Sequence, residues 1–424
     1  MKPIHAPLAV LPFFLAACPI VIENGDDDGS AEAGATEGSD ATAGDETDGA
    51  DETAGVDETA GASGPQSCAE IDRTMEGELP TIEGDEITLS GVYRISGTLI
   101  YDRGQVVTIE PGTVFLMESD AQVYFGWRSD PATVFADGTA EQPIMFCGTE
   151  GEPGHWIDLQ VLTGTTTDSV FSHVRIEDGG QGDVPALLLT VDATLDEVTV
   201  TGNAGPGFEL SGLANDSTAL YSTGNLGVSG WLLGESAITN LPPGDYTGNG
   251  EDILLADEFS DTNVVFHERG VPYRQLEEVL VFGEAGGDER SITIEAGVEY
   301  QFCQDCTMLV GWRTDPAVIT VQGTEDQPVV FTSSQASPSP GDWNGIVLEP
   351  GTRSNSRIEF ARFEYGGKSD AANLVIDGGT GTVRDSVFAN SAGWGVMVDG
   401  EREPGFELAN NVYIDNALGA VSDE

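Results

Sequence analysis

Residues 107–146 read VTIEPGTVFLMESDAQVYFGWRSDPATVFADGTAEQPIMF, and residues 292–331 read ITIEAGVEYQFCQDCTMLVGWRTDPAVITVQGTEDQPVVF. The two stretches align without a gap and share sixteen of forty positions. A chain that carries a long copy of itself is usually a stack of repeated units. The copy continues beyond this window. Gly154-His155-Trp156 answers to Gly341-Asp342-Trp343, DSVFSHVRIEDGG (168–180) to NSRIEFARFEYGG (355–367), and Asn203-Ala204-Gly205 to Ser391-Ala392-Gly393. The offset drifts by only a few residues, so two similar halves are expected at about 91–230 and 270–421. The stretch 231–269 has no counterpart.

Within the copies the apolar residues fall in short runs with partial period-two alternation, as in VTI (107–109), VYF (123–125), TVFA (133–136), PIMF (143–146) and LLLTV (187–191). Gly, Asp, Asn, Ser and Pro punctuate them, and no helical period persists over a dozen residues. Few Asn-Gly or Asp-Gly pairs link alternating runs, which argues against a hairpin-built sandwich. Short strands, bends and a long duplication together predict an all-β solenoid. In such a fold each coil has an apolar inner face that only its neighbours can cover. At 20–25 residues per coil the body would hold on the order of 15 coils.

The order TIEAGVEYQF, VQGTEDQPVVFTSS, GDWNGIVL, SRIEFARFEYGG (293–367) resembles the bacterial right-handed parallel β-helix repeat proteins. The resemblance is good over 271–395 and looser over 92–210. The first copy departs from it: GHWIDL (154–159) lacks the second glycine of the tryptophan motif, and IEDGG stands for FEYGG. The resemblance implies a right-handed parallel β-helix. It is nearly silent on activity, because many members are uncharacterised and the same fold also carries polysaccharide lyases and hydrolases.

Composition bounds partners. Acids outnumber bases 73 to 16, for a formal charge of −57, and the only lysines are Lys2 and Lys368. Such a surface repels phosphate backbones and excludes nucleic-acid binding. It also gives no polybasic purchase on anionic lipid. The acidity resembles that of proteins adapted to salty surroundings, where screening shortens like-charge repulsion.

The amino terminus carries Lys2, the apolar run PLAVLPFFLAA and then Cys18. Leu15-Ala16-Ala17-Cys18 is similar to a bacterial lipobox. Residues 1–17 are therefore expected to be a lipoprotein signal peptide, and Cys18 the lipidated residue that ties the protein to a membrane. Residues 18–67 are expected to form a disordered acidic tether: fourteen acids and no base fall between Glu23 and Gln66. Too little apolar surface is present there to offset chain entropy. The expected address is the bacterial outer membrane or cell surface, extracytoplasmic. Residues 68–90 are expected to be an amino-terminal cap and 91–424 the β-helix.

Four further cysteines, Cys68, Cys147, Cys303 and Cys306, favour disulfides in an exported chain. Cys303 could pair with Cys306 where the chain bends, and Cys68 with Cys147 would tie cap to body. A four-cysteine zinc site and free thiols are the competing readings, since connectivity is not readable from sequence. The repeated GWRSDP (126–131) and GWRTDP (311–316) offer Trp127, Arg128, Trp312 and Arg313 as binding candidates, with indoles to stack on sugars and guanidinium groups to bond hydroxyls. The competing reading is a repeated corner, with each arginine paired to Asp130 or Asp315. Asp178–Asp183 and Asp245–Glu251 are candidate calcium turns, although Ala256 stands where the second would need its bidentate glutamate. No nucleophile–histidine–acid set can be assembled from His155, His173 and His267. The expectation is a non-catalytic binding or structural protein whose partner is a polysaccharide or another surface protein. A polysaccharide lyase or glycoside hydrolase is the alternative, and a periplasmic assembly factor a third.

Overall fold

The computed structural model describes residues 64–182, 184–257, 263–283, 288–399 and 406–422. The expected signal peptide, Cys18 and the expected tether as far as residue 63 lie outside the described residues. The body is a right-handed parallel β-helix. One thirteen-stranded sheet runs along it, from Thr98–Tyr101 to Val412–Ile414. Two flanking sheets close the first half, starting at Glu86–Leu89 and Val92–Ile95. Two others close the second half, starting at Val264–Phe266 and Val279–Phe282. Neighbouring strands are parallel throughout, as at Val107↔Val134 and Ile292↔Ile319. Thirteen coils at roughly 4.8 Å each stack to about 60 Å.

Alternation sets each inner face. Gln105–Ile109 buries every other residue, and Val107 and Ile109 are fully enclosed. Inside, aromatic side chains stack from coil to coil. Phe331, Phe363, Phe388 and Tyr413 form one column, with ring centroids 4.7, 4.8 and 5.6 Å apart. Tyr93, Phe115 and Phe146 form another, at 5.6 and 4.6 Å. Ring spacing near the strand spacing lets every coil repeat the same contact. Trp156 and Trp343 are fully buried, and each indole N–H donates at 2.8 Å to the next coil, to the carbonyls of Glu177 and Glu364. A Cβ on Gly179 or Gly366 would lie 2.8 or 3.0 Å from these indoles. The glycine pairs of the two corner motifs are thus the partners of the tryptophans.

The segment without a counterpart changes the assignment of strands to sheets. In the first half each repeat ends on the long sheet, so Gln122–Phe125 belongs to it. In the second half the long sheet takes the middle strand, and the copy of that segment, Thr307–Val310, lies on a flanking sheet. The shift occurs where Val228–Leu233, Glu251–Asp257 and Tyr273–Gln275 follow one another on the long sheet, with the short helix Glu235–Thr239 between the first two.

The amino-terminal boundary is earlier than expected. Glu86–Leu89 already pairs with Val106–Ile109, so the β-helix begins inside the stretch read as cap. Gly64 and Gln66, read as tether, hydrogen-bond to the carbonyl of Glu141. The cap itself covers a second apolar cluster: Cys68 and Ile71 over Val114, Leu116, Met145 and Cys147. That cover explains why Val114–Met117 buries both of its faces. Arg73 fixes the cap, donating to the carboxylate of Asp178 at 2.7 Å and to the carbonyl of Gly148.

Candidate functional site

The two GWR corners share one geometry. Gly126 and Gly311 have φ of 77° and 75°, and Arg128 and Arg313 have φ of 54° and 57°. The hydroxyl of Thr165, one coil on, donates to the carbonyl of Phe125 at 2.8 Å, and Thr352 does the same to Val310 at 2.7 Å. A Cβ on either glycine would run into the backbone of that threonine. Each arginine folds over its own tryptophan, 5.3 and 5.2 Å from the ring centroid. The expected ion pairs to Asp130 and Asp315 do not form among the described residues. Guanidinium over indole satisfies the cation by its π face instead. The corners do not stack in one column, because the first follows a long-sheet strand and the second a flanking strand. They also differ in surroundings. Tyr124 stacks on Trp127 at 5.1 Å, while the corresponding position beside Trp312 is Leu309.

The duplication acts as an internal control. Features common to both copies belong to the coil, so a polar set present in one copy alone needs another reason. On the outer face of the first-half long sheet stand Gln122, Tyr124, Asp158 and Gln160. Their chain neighbours Val123, Phe125, Leu159 and Val161 point into the core, so these four face outward. Tyr124 and Gln160 are cross-strand partners, and the backbone N–H of Val123 donates to the carbonyl of Asp158 at 3.1 Å. The same four positions in the second half are Thr307, Leu309, Gly345 and Val347, paired in the same register. Gly345 there has a φ of 137°, and a Cβ on it would lie 2.4 Å from the carbonyl oxygen of Ala372.

Asp158 therefore replaces the missing second glycine of the tryptophan motif. It is only 2% exposed. Its Oδ2 accepts the amide N–H of Gln160 at 2.6 Å, while its Oδ1 is buried without a hydrogen-bond partner. Burial pushes its pKa up from 3.8 to about 6, against the lowering effect of the Gln160 bond. The phenol of Tyr124 is raised by burial and by the charge of Asp158, and donates to Gln122 Oε1 at 2.7 Å. Gln122 in turn donates to the hydroxyl of Thr98 at 2.7 Å. A buried carboxyl with a raised pKa, set among amides and a phenol, marks this face as the candidate site. Its signal was present in the sequence as the departure GHWIDL, but alternation alone did not show that residue 158 faces outward beside Tyr124.

The remaining candidates are otherwise engaged. The structure joins Cys68 to Cys147 and Cys303 to Cys306, with Cα atoms 5.5 and 5.2 Å apart. Asp178 is held by Arg73 and by the backbone N–H of Gly148. Asp245 accepts from both the backbone and the hydroxyl of Thr247, which lowers its pKa. Asn249 joins a side-chain ladder through Asn225 to Asn203. His155 bonds the Thr149 hydroxyl at 2.8 Å, and His267 lies 3.0 Å from Glu295.

Residues 276–376 match the family described as pectate-lyase like beta helix domain. The match falls on coils of the second half and leaves Asp158 and its neighbours outside. No curated protein and no solved structure matches the chain. The family likeness agrees with the parallel β-helix and bears equally on a binding and an enzymatic role.

Proposed function

We propose that this chain is a lipid-anchored extracytoplasmic β-helix protein that binds polysaccharide on the outer face of its first-half long sheet. The observation that carries the reading is the set Gln122, Tyr124, Asp158 and Gln160, polar in one copy and replaced by Thr307, Leu309, Gly345 and Val347 in the other. Amides, a phenol and a carboxyl on a flat ladder suit a hydroxyl-rich ligand: each offers a donor or acceptor to a sugar hydroxyl. Strands 4.8 Å apart also suit an extended polymer, because successive coils can meet successive residues. The lipobox at Cys18 and the acidic stretch after it support the anchored, surface-facing address. Trp127, Arg128, Trp312 and Arg313 act in this reading as corner residues, with Trp127 supporting Tyr124 from behind.

Affinity electrophoresis of the purified protein through gels containing soluble polysaccharides tests the binding. Retardation should appear with at least one polymer and be lost in a Gln122→Ala/Gln160→Ala variant. Equal retardation of the variant would remove this face from consideration. Incorporation of labelled palmitate, absent after Cys18→Ser, tests the anchor.

The enzymatic alternative rests on the same Asp158, since a carboxyl titrating near 6 is suited to general acid work. Hydrolysis requires a second carboxylate placed for nucleophile or base. Asp158 is shifted by burial and by its bond to Gln160, and no carboxylate is among the causes, which favours binding over turnover. Release of reducing ends from a retarding polymer would reverse that preference.

A further inference from the structure

Resting on the polysaccharide reading, we propose that the polymer bound at this face carries primary ammonium groups, as a de-N-acetylated amino sugar does, and that one of them pairs with Asp158. The argument begins with the unmet oxygen. A carboxylate has about four acceptor positions, and the side-chain hydrogen bond to Asp158 is the one from Gln160. Its Oδ1 is buried with none, and no described cation lies within ion-pairing distance of it. A half-met buried carboxylate is costly by itself, and a charge-assisted partner recovers the most. A hydroxyl brings one proton; an ammonium brings three and a compensating charge.

The surroundings point the same way. The groups beside Asp158 are Tyr124 from the coil below, whose phenol feels its charge, Gln160 on its own strand, and Ala186 at the matching register above. None of them is cationic, so the positive charge has to come from the ligand. With a formal charge of −57 the chain draws cations and repels uronate or sulfated polymers. For an ammonium to reach the carboxylate, the half-buried side chain of Gln160, bonded to Oδ2, has to swing aside.

The test is titration calorimetry of the full-length protein in detergent at pH 6.0 and physiological salt. Three ligands are compared: glucosamine hexamer, N-acetylglucosamine hexamer and glucose hexamer. The glucosamine hexamer should bind at least about tenfold more tightly than the other two, the difference one charge-assisted contact provides. Asp158→Asn, nearly isosteric, should bring the ratio to within about twofold. Gln160→Ala, which takes a contact from the face but keeps the carboxyl, should weaken all three hexamers alike and leave the ratio unchanged. Equal binding of all three hexamers to the wild type overturns the ammonium assignment and leaves polysaccharide binding standing. An amine preference that survives Asp158→Asn also overturns it, since the attraction then comes from the acidic surface at large. Failure of every hexamer and polymer to bind overturns the polysaccharide reading along with it. Circular dichroism of both variants confirms that each is folded before titration.

Discussion

Replacing Asp158 with asparagine should change how the stability of the fold depends on pH. The carboxyl titrates at about 6 in the folded chain against 3.8 ordinarily. A shift of roughly two units corresponds to about 3 kcal/mol, at 1.36 kcal/mol per unit. The sign follows from proton counting. Between 3.8 and about 6 the folded state keeps the proton that the unfolded state has lost. Stability from this group is therefore full at low pH, falls across that window and levels off above it. Asparagine has no such dependence. It brings an amide N–H to the place of the unmet Oδ1, at a cost of about 1–3 kcal/mol that does not vary with pH. The informative quantity is thus the difference between wild type and variant as a function of pH, in which the other titrating acids cancel. Equilibrium urea unfolding followed by tryptophan fluorescence, at intervals from pH 3.5 to 7.5, supplies it. The difference should move by about 3 kcal/mol in favour of the variant as pH rises. A difference that stays flat would falsify the claim that a buried, half-bonded carboxyl occupies position 158.

Trp343→Ala should cost about 3–5 kcal/mol, seen as a lowered melting temperature: the ring is fully buried, stacks on Phe302 at 4.0 Å and bonds Glu364. Gly311→Ala should destabilise by more than the 1–2 kcal/mol of a left-handed backbone alone, since its Cβ also meets the Thr352 backbone; Thr314→Ala, exposed in the same corner, should be near neutral, and a reversed ranking in thermal melts would contradict the corner geometry. Cys68→Ser opens a loop of sequence separation 79 and should cost about 4–5 kcal/mol by chain entropy, against about 2 kcal/mol for Cys303→Ser with separation 3. Comparing their urea midpoints under non-reducing conditions separates the two bridges.

The parts of this protein that could be read directly from its residues are those fixed by repetition. The copy of 107–146 at 292–331 implied stacked coils, and the strands, the buried tryptophans and the glycine corners all repeat as the sequence repeats. What could not be read is where the copies meet. Residues 231–269 have no internal counterpart, so nothing in the pattern announced that the long sheet would pass from the last strand of one repeat type to the middle strand of the next. That shift matters for function, because it places GWRSDP and GWRTDP at the ends of different sheets and prevents them from forming one binding ladder. The arginines were misassigned for a related reason: Asp130 and Asp315 are near in sequence, but the left-handed backbone at Arg128 and Arg313 turns each guanidinium back over its own indole.

The same duplication that revealed the fold also separates structural residues from functional ones. A motif that recurs, such as GWR, is accounted for by geometry that recurs with it: the glycine, the threonine of the next coil and the stacked arginine are present in both copies. A departure from the repeat has no such account. At position 158 the second copy has a glycine, Gly345, on which a Cβ would meet the backbone of the next coil, and the first copy has a carboxyl that is buried, short of partners and hard to ionise. Natural chains keep such locally unfavourable residues where they serve a site rather than a coil. Gln122, Tyr124 and Gln160 depart from the repeat on the same patch of the same sheet, so four independent differences converge on one surface. That convergence, more than any single residue, is why the first-half face of the long sheet is the place to look for the ligand.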